Sequence, residues 1–354
     1  MTTAAADESL QAAVATWRSR FVANGVHAHE VDDLLGRLER WQDWCAAWHE
    51  RGRVYAERAR AADRQGHRLT GRDAWRQASL LAHFAKYLFL HDRPAYEAAR
   101  RDSVAWYRRA AARFSPRAMP VAIPLGPARL PGYLRVPAAG APLAVIVPGL
   151  DSVKEELHAY SDDLTARGIA TLALDAPGQG ESEDLLPLEP AFERVVAAVL
   201  DTLPAFRGVD GRRVALVGVS VGGYFALRGS IVGGPVRAAA ALGGFARYRE
   251  EWPVQPALSR RAFTVRTWSR DESEATDRAR AFDLVPVLDQ IRVPVLVLEG
   301  GRDRHRQNPN SLSHVAAGRF ERLYYPEGGH VCNNLSALYR PRVADWIADR
   351  LAAP

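Results

Sequence analysis

The chain reads as an α/β protein, a mostly parallel sheet with helices on both faces, preceded by an all-helical region. Three observations predict this. From about residue 140 onward, short apolar runs alternate with amphipathic stretches, the rhythm of strand–helix–strand units. In the middle of that rhythm, the apolar run 213–217 leads into Gly218-Val219-Ser220-Val221-Gly222 and then a segment of helical spacing, 224–231. Residues 1–115, by contrast, carry hardly any strand signal.

Composition sets the outer bounds. The chain has 354 residues, 47% hydrophobic and 25% charged, which suits a folded globular protein of one large domain or two. Its formal net charge of +6 comes almost wholly from arginine, since Lys86 and Lys154 are the only lysines. Those arginines are interspersed with acids and form no basic face with aromatics between, so nucleic acid is not an expected partner. Cys45 and Cys332 stand far apart with no metal-type spacing, which fits a reducing compartment and predicts no structural metal. Residues 1–10 include Asp7 and Glu8 and have no apolar core, and no run approaches a membrane span. A cytoplasmic protein with no membrane partner is the expectation.

Taken in order, the first region shows helical spacing three times. Trp17, Phe21, Leu34, Leu38, Trp41, Trp44 and Trp48 recur three or four apart; 73–91 repeats the pattern; a third stretch opens at Pro94, a favoured first helical position. The tryptophan stripe reads as core, with a substrate-cavity lining as the alternative. The composition changes at Ser115-Pro116, giving a helical domain 1–115 and an α/β domain 116–354. Residues 119–125 and 130–136 flank a Gly-Pro turn as two strands. Strands follow at 143–147, 170–174, 213–217, 237–242, 293–299 and 322–325, with helices at 155–167, 190–203, 224–231 and 340–351. The rhythm breaks over about 245–289, a charged insertion that is a candidate lid over the strand ends.

Strand, Gly-x-Ser-x-Gly, helix is the nucleophile-elbow pattern. A serine in that turn sits in a strained backbone conformation, and a side chain at 218 or 222 would collide with its neighbours. Serine needs a base, and the base needs an orienting acid, which in this architecture follow later in the chain, acid first. Strand 293–299 runs into Gly300-Gly301-Arg302-Asp303, and strand 322–325 runs into Pro326-Glu327-Gly328-Gly329-His330. Asp303 and His330 are therefore the expected acid and base, with Glu299 as a rival acid; His305 and His314 follow no such turn. The Val221 N–H, and the Leu150 N–H in Pro148-Gly149-Leu150-Asp151, are the expected oxyanion donors. The glycine-rich loop 175–182 lacks phosphate- and dinucleotide-binding spacings, so no cofactor is expected.

These motifs, in this order, resemble the α/β-hydrolase superfamily. More narrowly, Pro-Gly-Leu-Asp-Ser-Val-Lys-Glu-Glu (148–156), Gly-Gly-Phe (243–245) and Gly-Gly-His-Val-Cys-Asn-Asn-Leu (328–335) are similar to the 2,6-dihydroxypseudooxynicotine hydrolase group. That group includes fungal polyketide-shortening hydrolases and carries a helical domain ahead of the hydrolase domain. The resemblance implies Ser220 as nucleophile, Asp303 as acid, His330 as base, and Leu150 and Val221 as oxyanion donors. It also implies a carboxylate early in the lid, Glu250 or Glu251, for which a solvated surface glutamate is the competing reading. A homodimer and a helical domain that closes over the substrate are implied as well. The basic run Arg304-His305-Arg306, where relatives are less basic, marks either an anionic group on the substrate or nothing in particular. The expected activity is hydrolysis of an ester, or of a carbon–carbon bond beside a ketone, in a bulky small molecule of secondary metabolism or catabolism. Elimination of acetate by a lyase on the same site, and a non-catalytic binding protein, are the alternatives.

Overall fold

The computed structural model describes residues 3–305, 312–316 and 318–352. They fall into two compact units, Met1–Met119 and Pro120–Pro354.

The first unit is helical: α1 (Thr3–Ala23), α2 (Ala28–Arg37), α3 (Trp44–Arg64), α4 (Arg68–Lys86) and α5 (Arg93–Ala111). The chain leaves α1 through Gly25, whose φ of +109° few other residues tolerate. The α5 helix starts on an Asp92 side chain that accepts from the Ala95 N–H, with Pro94 in the first turn. The tryptophan stripe is packed core. Trp41, Trp44, Trp48 and Trp75 are all buried, Trp44 stacks on Trp48 at 5.2 Å, and Phe21 lies 4.6 Å from Phe84. The Trp44 indole N–H donates to the Phe84 carbonyl at 2.8 Å, so that ring meets its polar need inside the core. Ser79 and Ser103 join α4 to α5 by donating each hydroxyl to the other's carbonyl, at 2.7 and 3.0 Å.

The second unit holds eight strands: β1 (Met119–Leu125), β2 (Ala128–Arg135), β3 (Ala141–Val147), β4 (Ala170–Leu174), β5 (Val209–Val219), β6 (Val236–Leu242), β7 (Val295–Gly300) and β8 (Glu321–Tyr325). Their order across the sheet is β1-β2-β4-β3-β5-β6-β7-β8. The pair β2–β4 is antiparallel, and every pair from β4 to β8 is parallel. Side chains alternate between faces along each strand. Ile146, Val217 and Leu242 thus share one face with Leu157, Tyr160 and Leu164 around α6 (His158–Thr165), and with Tyr339, Val343 and Ile347 of the last helix. Leu216 points to the opposite face, which α7 (Glu193–Thr202) and α8 (Val221–Gly229) cover, with Phe192 stacked on Phe225 at 4.8 Å.

The α6 helix starts at His158 rather than at 155. Lys154, Glu155 and Glu156 are drawn inward, each almost fully buried, and their side chains bind partners in the loops instead of facing solvent from a helical turn. The segment after β6 forms α9 (Tyr248–Glu251), α10 (Ala257–Arg266) and α11 (Glu272–Arg278). Its apolar side is an aromatic cluster: Tyr248 lies 4.8 Å from Phe245 and 4.7 Å from Phe263, and Phe245 stacks on Tyr224 of α8 at 5.3 Å. Short α12 (Leu312–Val315) and long α13 (Ser336–Ala352) complete the described helices. No described helix is long and apolar enough to cross a membrane.

Candidate active site

Parallel pairing brings the carboxyl ends of β3, β5, β6, β7 and β8 to one edge, where open α/β sheets hold ligands. Val147 pairs with Gly218, Val219 with Leu242, and Gly300 with Tyr325, so every loop singled out in the sequence leaves from that edge.

Ser220 follows β5 with φ +57° and ψ −117°, a region that non-glycine residues avoid. Two backbone bonds hold it there: its N–H donates to the Leu242 carbonyl at 2.7 Å, and its carbonyl accepts from the Gly223 N–H at 2.8 Å. The flanking glycines are sterically required. A Cβ at 218 would sit 1.7 Å from the Gly222 carbonyl oxygen, and one at 222 would sit 2.3 Å from that of Val147. Strand–turn–helix crossing at this distance leaves no volume for a side chain.

The hydroxyl of Ser220 lies 2.8 Å from His330 Nε2, and His330 Nδ1 lies 2.8 Å from Asp303 Oδ2. Three side chains separated in sequence by 83 and 27 residues thus form one hydrogen-bonded chain, with Nδ1–H donating to the carboxylate and Nε2 free to accept from the serine. The carboxylate itself is 5% exposed. Behind His330 the backbone is strained too: Val331 and Cys332 have φ of +57° and +50°. The Cys332 thiol is pushed up to about 12, first by burial and then by the Asp303 charge, and burial likewise pushes Cys45 up to about 12, so neither supplies a ready thiolate. Glu299, the rival acid, binds elsewhere: it accepts from the Ser313 hydroxyl at 2.6 Å and from Arg322 at 2.8 Å.

The loop after β3 packs directly against the serine, since a Cβ on Gly149 would meet Ser220 Cβ at 3.2 Å. Neither the Leu150 nor the Val221 N–H is taken by a backbone carbonyl outside the helices and strands among the described residues, and Val221 is the first residue of α8, where an N–H has no intrahelical acceptor. Ion pairs fix the loop from below. Lys154, fully buried, places its ammonium 2.7 Å from Asp175, 2.7 Å from Glu181 and 2.9 Å from Glu155. Burial alone would depress that ammonium, but the surrounding carboxylates outweigh it and hold its pKa well above the ordinary lysine value. Burial raises Glu155 above the usual carboxylate range against the pull of Lys154. On the lid side, the buried Arg266 of α10 pairs with Glu183 and comes within 3.8 Å of Asp151.

The two lid glutamates part company. Glu250 is exposed and pairs with Arg247 at 3.2 Å, whereas Glu251 is fully buried, which overturns the solvated reading for that residue. The Gln255 amide links the α9 backbone to the loop after β7, donating to the His305 carbonyl at 2.8 Å and to that of Glu251 at 3.4 Å.

His305, set aside in the sequence, lies beside Asp303 and His330. Its N–H donates to Asp303 Oδ1 at 2.9 Å, and its buried ring sits 4.4 Å from that of His330. Its sequence signals were its position two residues past Asp303 and its place in the basic run 304–306. In the basic run, Arg304 is exposed, His305 is inward, and Arg306 lies outside the described residues. Potential ligand atoms of Asp303, His305 and His330 lie within 4.8 Å of one another, close enough to hold a divalent cation.

A parallel sheet with a strained serine between strand and helix, and a histidine and an aspartate on later strand ends, is the α/β-hydrolase fold. The family described as Esterase FrsA-like matches residues 13–248, more than half of the chain, and the chain belongs to that family of α/β hydrolases. It is similar to the 2,6-dihydropseudooxynicotine hydrolase of Paenarthrobacter nicotinovorans, 27% identical over 342 residues that cover 94% of this chain and 91% of that one. The crystal structure of the 2,6-dihydroxy-pseudo-oxynicotine hydrolase superposes with a TM-score of 0.85 at 25% identity, covering 94% and 95% of the two chains. A further relative is the α/β hydrolase xenA of Xenoacremonium sinensis, 34% identical over 204 residues; the match covers 53% of this chain and 48% of that protein, about half its length.

Proposed function

We propose that the protein is a serine-dependent hydrolase that cleaves an ester, or a carbon–carbon bond beside a ketone, in a bulky small molecule. The observation that carries this reading is the continuous chain Ser220 Oγ–His330 Nε2, His330 Nδ1–Asp303 Oδ2, on a serine held at φ +57°. In that arrangement His330 takes the hydroxyl proton as Ser220 attacks the carbonyl carbon. Asp303 holds the ring in the tautomer that accepts at Nε2 and stabilises the imidazolium. The N–H groups of Leu150 and Val221 receive the developing oxyanion. His330 then returns its proton to the leaving alkoxide or enolate carbon, and water, activated by the same histidine, releases the acid from Ser220. The burial of Glu251 favours it over Glu250 as the lid carboxylate that orients the substrate. The named relatives reported above are hydrolases, which favours hydrolysis over acetate elimination.

The test is intact-mass measurement after treatment with a fluorophosphonate probe. Wild type should gain one adduct and Ser220→Ala none; an unlabelled wild type sinks the nucleophile assignment. A panel of aryl esters and β-diketones then separates ester from carbon–carbon cleavage. Turnover that survives Ser220→Ala but not His330→Ala would replace the covalent route with elimination.

A further inference from the structure

The loop 175–182 grips the oxyanion loop at both ends, and one side chain in it has no other evident task. Gln179 is fully buried. Its Nε2 donates to the Pro148 carbonyl at 2.8 Å and to the Gly149 carbonyl at 2.7 Å, using both of its hydrogens on consecutive peptide oxygens. Its Oε1 accepts from the Ala176 N–H at 3.2 Å, which fixes the amide's orientation. At the far end of the same loop, Asp175 accepts from the Lys154 N–H at 2.8 Å and from its ammonium at 2.7 Å.

A trans peptide points its C=O and the following N–H in opposite directions. With the Gly149 carbonyl drawn towards Gln179, and accepting also from the Ser152 N–H at 3.3 Å, the Leu150 N–H is turned away from them. Gly149 is packed on Ser220, so this peptide's orientation decides whether the serine faces a donor or a carbonyl lone pair. We propose that Gln179 is a positioning residue for the oxyanion site: its amide holds the 149–150 peptide in the orientation that presents the Leu150 N–H to the reacting carbonyl at Ser220. The proposal rests on the serine-hydrolase reading above.

Two variants test it. Gln179→Met keeps the length of the side chain and removes the donors; Gln179→Glu keeps its shape and sets an acceptor oxygen against two carbonyls. With a p-nitrophenyl ester as substrate, kcat should fall about 10²–10³-fold in Gln179→Glu, the range for a lost oxyanion donor, and about tenfold or more in Gln179→Met. KM should stay within about threefold in both, because the donor acts on the transition state. Affinity for an aryl trifluoromethyl ketone, which forms a tetrahedral adduct on serine, should fall in step with kcat/KM. A lower melting temperature with unchanged kcat and unchanged ketone affinity per folded molecule would mean that Gln179 serves the fold alone, and would overturn the proposal. If Gln179→Glu does not fold, Gln179→Met decides by itself. Fluorophosphonate labelling keeps the two readings apart: an unlabelled wild type removes the serine reading and this one with it, while a labelled wild type alongside a fully active Gln179→Met removes only this one.

Discussion

Both units bury rings and some charge, Lys86 in the helical unit included, but they arrange them differently. The helical unit fills its centre with rings, Trp41, Trp44, Trp48, Phe21 and Phe84, while an ion pair such as Asp63–Arg113 stays partly exposed at its margin. The α/β unit buries Lys154 with Asp175 and Glu155, beside a part-exposed Glu181, and Arg266 with Glu183, and all of these groups sit in or against the loops that leave the strand ends. Rings can cohere anywhere that apolar surface is buried. Desolvated charge is tolerated only where several partners converge, and it then fixes geometry that apolar contacts leave loose. The difference teaches where the molecule needs bulk cohesion and where it needs one loop conformation.

Removing the ammonium should be the harshest break. Lys154→Met leaves Asp175 and Glu155 buried without their cation, and stability should drop by about 3–5 kcal/mol, read as the shift in urea midpoint. The effect has a pH signature. Folding raises the lysine pKa above its ordinary 10.5, so its stabilisation is complete below that value and fades as pH rises from there through the folded-state pKa. The gap between wild type and variant should therefore be constant from pH 7 to 9 and narrow above about pH 10.5; a gap that widens there contradicts the assigned direction.

Leu81→Ala in the helical unit removes a fully buried apolar group and should cost about 2–5 kcal/mol. Denaturant titrations at pH 8 and pH 11 should return the same difference from wild type, since no charge is involved. A strong pH dependence there would erase the contrast between the units. Least of all should come from Arg270→Ala, which deletes an exposed partner of Glu274 on α11. Its melting temperature should match wild type within error, because an exposed pair is screened by water and salt.

Much of this was legible from the chain. Alternating apolar strands and glycine turns located Ser220, Asp303 and His330, because a strand's carboxyl end followed by a tight turn fixes both the place and the direction of the next side chain. The element order and the sheet-forming runs were equally plain, being local patterns of period two and three to four. What stayed hidden depends on which loops meet. Glu155 and Glu156 read as the first turn of a helix, whereas the contacts of Lys154 with Asp175 and Glu181 hold this stretch inside. Gln179 read as one polar residue in a glycine-rich loop, and nothing local says which carbonyls it will reach. His305 failed a test of local motif although it packs on the histidine that passed. Glu250 and Glu251 could not be separated in sequence because one residue of helical register decides which is buried.

The residues proposed to react, Ser220, Asp303 and His330, stand one, three and five residues beyond strand ends, while about fifty residues between β6 and β7 form a largely helical segment of their own. For protein engineering, the proposed function puts machinery and selectivity on separable parts. On that proposal, the segment 245–289 is the part to redraw for a different molecule, with three fixed points kept: Phe245 against Tyr224, Arg266 on Glu183, and Gln255 on the His305 carbonyl.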